Sequence, residues 1–82
     1  MSAYESLKRA INIAGGQTAL AKEVSALSGK TVKQQHVYNW LHRERQCSKY
    51  FARFVEEAVD HKITKEQLCP DIYPEETKLR NV

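Results

Sequence analysis

The sequence is short of almost everything a secreted, metal-binding or catalytic domain would use. Its 82 residues include two cysteines, three glycines, two prolines and one tryptophan. Cys47 and Cys69 stand far apart with no second pair, so they offer neither a CxxC zinc half-site nor a disulfide framework. In a reducing compartment two separated thiols are packing or surface residues. His36, His42 and His61 lack the HxxxH spacing of a metal site, and no metal or cofactor is expected. Hydrophobic residues are 41% of the chain, too many for disorder and too scattered for a membrane span. The opening Met-Ser-Ala-Tyr-Glu has no basic stretch leading into an apolar one, so no secretory leader is expected and the cytoplasm is the expected compartment. No nucleophile stands in a recognisable motif, and Gly15-Gly16 lacks the context of a phosphate loop. A helical chain this short also offers little cavity for a substrate, so no enzymatic activity is expected.

Nothing alternates at period two and nothing repeats, so no sheet is expected either. Helical spacing is what remains. Ser2 to Glu5 has the form of a capping box, followed by Tyr4, Leu7, Ile11 and Ala14 on one stripe and by Gly15-Gly16 as the stop. A second helix opens at Gln17, sets Leu20, Val24 and Leu27 on one side, and stops at Gly29. A third runs from about Gln34 to His42, with Val37, Trp40 and Leu41 as its apolar side. The fourth opens at Ser48 as N-cap and presents Phe51, Phe54, Val55, Ala58 and Val59. Thr64 to Gln67 is a second capping box, opening a short fifth helix that holds Leu68 and ends before Pro70. The expected fold is all-α: a small bundle of four helices plus a short fifth, over residues 1–73, with a flexible polar tail at 74–82.

The charge is unevenly spread. Residues 30–53 hold six cations, Lys30, Lys33, Arg43, Arg45, Lys49 and Arg53, against Glu44 alone. Residues 54–82 carry seven carboxylates against four cations. A basic middle and an acidic end suit a protein whose middle meets a polyanion. Inside the basic middle, the outer side of the third helix is nearly uncharged and carries Gln34, Gln35, His36, Tyr38, Asn39 and His42. A merely solvated face would carry Glu and Lys pairs. Gln and Asn donate and accept together, which matches the N6–H and N7 edge of adenine in the major groove. Lys33, Arg43 and Arg45 flank this face and can hold phosphates.

The segment Gly16-Gln-Thr-Ala-Leu-Ala-Lys-Glu-Val24, followed by Lys33-Gln-Gln-His-Val-Tyr-Asn-Trp40, resembles the helix-turn-helix of Cro-like phage repressors, closest to the Cro/YdaS-type group of antitoxin-like regulators. With Ala10 to Gly16 before it and Ile63 to Tyr73 after it, the likeness covers roughly residues 3–73. The resemblance implies a lambda-repressor-like fold and a sequence-specific transcriptional repressor of phage or prophage type, acting in the bacterial cytoplasm at the nucleoid. It implies a recognition helix at about 33–43, with Gln34, Gln35, His36 and Asn39 at base edges and Tyr38 as an additional contact. Gln17 matches the glutamine that holds a phosphate at the start of the second helix, a position the helix-terminus dipole favours on its own account. Thr18, Lys30, Lys33, Arg43 and Arg45 are the other expected phosphate contacts. One such helix reads only about four to six base pairs, so a homodimer on a two-fold operator is expected, its half-sites roughly 34 Å apart.

Two departures from the family pattern stand out. Between Val24 and Val32 the chain is several residues longer than the usual tight turn, and Ser25 to Thr31 either extends the second helix or forms a loop carrying Lys30. The N-cap of the third helix, usually Ser or Thr, is Lys33 unless that helix starts at Thr31. The rival functional reading is an antitoxin-like interaction module that binds a toxin or a partner regulator, with Phe51, Phe54 or the acidic tail as its surface. Core is the expected place for both phenylalanines, since a chain this small cannot spare them.

Overall fold

A computed structural model describes residues 2–72; the tail expected at 74–82 lies outside them, as do Met1 and Tyr73. The described residues form helices only: α1 (Ala3–Ala14), α2 (Gln17–Ser28), α3 (Gln34–Asn39) running on into a π-helical turn (Trp40–Glu44), α4 (Ala52–Ala58) and α5 (Lys65–Leu68). This is the expected all-helical bundle of four helices and a short fifth.

The caps explain the boundaries. Ser2 Oγ accepts the Glu5 N–H at 3.1 Å and opens α1. Gly15, at φ 102°, closes it by donating to the carbonyls of Ile11 and Asn12. Leu7, Ala10 and Ile11 are buried, with Tyr4 and Ala14 packed at the margin of the core. From α2 come Leu20, Ala21 and Val24, but Leu27 is 38% exposed and does not join the stripe. It lies in the last turn of α2, two residues before the chain turns away at Gly29.

The long connection after Val24 is divided between helix and turn. α2 continues one turn further, to Ser28, and Gly29 ends it in the left-handed conformation. The Ser25 hydroxyl then takes hold of Val32 from both sides, accepting its N–H at 2.8 Å and donating to its carbonyl at 2.9 Å. Val32 is thereby buried, and the chain is brought back to begin α3.

The fourth helix starts later than the sequence suggests. Ser48 does not cap it: its Oγ accepts the N–H of Tyr50, two residues on, and its carbonyl accepts from Phe51, so 48–51 is a turn. Ala52, Val55 and Val59 are buried, and Phe51, Phe54 and Ala58 are half-buried against the core. Glu56 ties the C-terminal end of this helix to α5. One carboxylate oxygen meets His61 Nδ1 at 2.6 Å and the other accepts the Lys65 N–H at 2.8 Å. Burial pushes the Glu56 carboxyl up, but these bonds and the nearby charges of Lys65 and His61 outweigh it and leave the group below its ordinary value. Thr64 and Gln67 cap α5 reciprocally, as the sequence predicts.

Both cysteines lie in the core. The Cys69 thiol donates to the Cys47 carbonyl at 3.0 Å, joining the segment after the π-turn to the end of α5. Burial raises both thiols, Cys69 to about 11, with the Cys69 sulfur and Glu44 adding to the effect at Cys47 and Asp71 at Cys69. At neutral pH both are protonated packing groups.

Candidate nucleic-acid interface

The expected recognition helix is held by one side and open on the other. Val37, Trp40 and Leu41 are buried, and Trp40 packs on Phe51 with ring centroids 5.8 Å apart. Opposite them Gln34, Gln35, His36 and Tyr38 are exposed and Asn39 is half-buried. Over 33–43 the segment is not one regular helix: α-helical bonding ends at Asn39, and the carbonyl of Trp40 accepts from Arg45 and Gln46. The wider turn accommodates two consecutive large side chains, Trp40 and Leu41, that both turn into the core. Arg45, at φ 60°, ends it.

Lys33 is the N-cap of α3 and supplies no side-chain cap. His36 compensates: its Nδ1 accepts the Lys33 N–H at 2.9 Å, taking the part a Glu plays in a capping box. That bond makes Nδ1 the acceptor and leaves Nε2 as the ring's free polar atom. His36, expected at a base edge, thus spends half its hydrogen-bonding capacity on the backbone.

The amides are paired. Gln34 Nε2 donates to Gln17 Oε1 at 2.5 Å, linking the first residue of α3 to the first residue of α2 across 17 positions. Gln35 Nε2 donates to Asn39 Oδ1 at 3.2 Å, one turn along the same face. Each pair fixes two side chains while leaving an amide donor and a carbonyl oxygen open to a ligand. Around Gln17, the N-terminal N–H groups of α2 have no side-chain cap, because the N-cap is Gly16, and Thr18 beside it is exposed.

The cations divide into two groups. Lys30, Lys33 and Arg43 are exposed, and none makes an ion pair among the described residues. Arg45 is drawn aside: its guanidinium lies 4.1 Å from the centre of the Tyr4 ring on α1, where Lys8 is also close. Of the cations expected at phosphates, Arg45 is therefore the one already engaged within the domain, as Gln17 is through Gln34. Sequence reasoning passed over His42 as a site residue. Its ring stands 4.4 Å from that of Tyr38, and its spacing of seven from Gln35 was the available signal.

Elsewhere, an open trough of about 600 Å³ runs along α1, lined by Lys8, Ile11, Asn12, Gly16 and Leu41 among others. Among the described residues no cluster of His, Cys, Asp or Glu is placed to hold a metal ion. None of the described helices is long and apolar enough to cross a membrane.

A family described as bacterial toxin YdaS matches residues 7–77, nearly the whole chain and all of the helix-turn-helix segment. The chain belongs to the YdaS family. No curated protein and no solved structure matches it. The family match agrees with the likeness read from the paired segments 16–24 and 33–40. It makes this YdaS chain a small helical protein of a group named for toxins and similar to Cro-like and antitoxin-like regulators.

Proposed function

We propose that this YdaS-family chain is a sequence-specific DNA-binding repressor, with no catalytic step of its own. In this reading α3 enters the major groove of a two-fold operator, and two copies of the chain cover half-sites about one turn apart, roughly 34 Å. The observation that carries it is the outward face of α3. Its three amides and Gln17 of α2 are locked in two pairs between exposed cations, on a helix anchored from behind by Val37 and Trp40. Preset amides pair with base edges at little entropic cost. Lys30, Lys33, Arg43 and the uncapped start of α2 with Gln17 and Thr18 take the phosphates, so affinity falls with salt. Gln34, Gln35, Asn39 and the free Nε2 of His36 supply the sequence preference.

The family's name favours a second reading, in which the chain acts on or with a protein partner in a toxin–antitoxin pair. Tyr50 is 75% exposed and lines an open trough with Ile72, which gives such a partner an apolar foothold. Selection of binding sites from random duplex DNA with the purified protein, at two salt concentrations, separates the two. A palindrome with half-sites one turn apart is the expected result. Recovery of nothing above background moves the function to protein interaction.

A further inference from the structure

The outward face of α3 does not end at Asn39. His42 stands seven residues after Gln35 and so on the same side of a helix, exposed in the π-helical turn. Its imidazole lies against the Tyr38 ring, the centroids 4.4 Å apart and the planes tilted by 43°. Tyr38 is 43% exposed, so its ring is open to a ligand. The pair straddles the change from α-helical to π-helical bonding at Trp40. That widening changes the angle through which four residues turn, and here it leaves the two rings in contact. Neither ring makes a hydrogen bond among the described residues. Each restrains the other's rotamer, so the surface is set before any ligand arrives.

We propose that Tyr38 and His42 form a joint aromatic platform that packs on the 5-methyl group of a thymine in the major groove. The proposal rests on the DNA-reading function above and adds a base preference that amides do not supply. Gln35 and Asn39, on the same face, are suited to the polar edge of adenine, whereas the thymine methyl is the apolar group the major groove displays. An aromatic surface next to paired amides therefore reads a T·A pair beside an A·T pair, and each half-site holds both.

The test uses the duplex recovered by site selection, with each thymine replaced in turn by deoxyuridine, which removes only the methyl group. For the unaltered protein, one thymine per half-site loses about fourfold in affinity on that replacement, the worth of one buried methyl. Tyr38→Ala and His42→Ala bind the thymine duplex about that much more weakly and no longer distinguish it from the uracil one. Tyr38→Phe keeps the distinction, because the ring and not the phenol makes the contact. Thermal melts of all three variants separate a loss of reading from a loss of folding. If every thymine tolerates uracil, or if Tyr38→Ala and His42→Ala retain the sensitivity, the platform is wrong while the amide reading stands. A selection that returns no motif overturns both.

Discussion

The two turns on either side of α2 close by different means. α1 and α2 each run twelve residues and each ends on a left-handed glycine, Gly15 at φ 102° and Gly29 at φ 74°. After Gly15 a single further glycine suffices, and the backbone closes on itself: the N–H groups of Gly15 and Gly16 both reach the Ile11 carbonyl. After Gly29 the chain travels four more residues before α3 begins, and side chains restore the order. Ser25 holds Val32, His36 holds the Lys33 N–H, and Gln17 holds Gln34. A short turn can be fixed by backbone conformation alone. A longer one between two helices that must keep a set relation needs ties from residues distant in sequence, and here one of those ties is made by the polar surface that the proposed function uses.

Five substitutions bear on this contrast. The largest effect belongs to the anchor that keeps α3 docked whatever happens in the turn. Trp40→Ala empties a buried site packed on Phe51 and is expected to lose about 3–5 kcal/mol in a urea titration. A variant of unchanged stability would mean that α3 is not seated on the core through Trp40. Next come the amides, whose effect belongs to binding alone: Gln35→Ala or Asn39→Ala loses about 1–3 kcal/mol on the selected site and little on random duplex. Equal losses on both duplexes would remove these residues from base reading. Gly15→Ala places a Cβ where the backbone is left-handed and destabilises by about 1–2 kcal/mol. The nearest atom that Cβ meets, on Ala19, is at an ordinary 3.7 Å, so the loss measures conformation and not crowding. Smallest is Ser25→Ala, about 1 kcal/mol for the half-buried Val32 groups left unpaired. If the longer turn depends on that tie, hydrogen exchange at Val32 speeds up in this variant while exchange across Gly15-Gly16 is unchanged.

The same contrast accounts for what the sequence discloses. Elements closed by local chemistry are legible: Ser2 with Glu5, the left-handed glycines, and Thr64 with Gln67 all act within one turn of chain. Features that depend on distant partners are not. Ser48 looks like an N-cap by type, yet its hydroxyl is taken by Tyr50 and the helix waits until Ala52. Leu27 continues the apolar spacing of α2 but stays 38% exposed in its last turn. The π-turn at Trp40 follows from packing two adjacent large side chains, which helical periodicity does not encode. At the candidate site, residue types and family likeness point to Gln17, Gln34, Gln35 and Asn39, and the structure brings these four into two bonded pairs. The withdrawal of Arg45 onto Tyr4 could not be read beforehand, because it joins two helices distant in sequence.

The most direct test of the central claim watches the side-chain amide protons of isotopically labelled protein by NMR as the selected duplex is added. Gln17, Gln34, Gln35 and Asn39 are predicted to shift together and to gain protection from exchange, while the core methyl groups of Val55 and Leu68 stay in place. Shifts centred instead on Tyr50, Phe51 and Phe54, with the four amides unmoved, would contradict the account and place the binding surface on the segment around the start of α4.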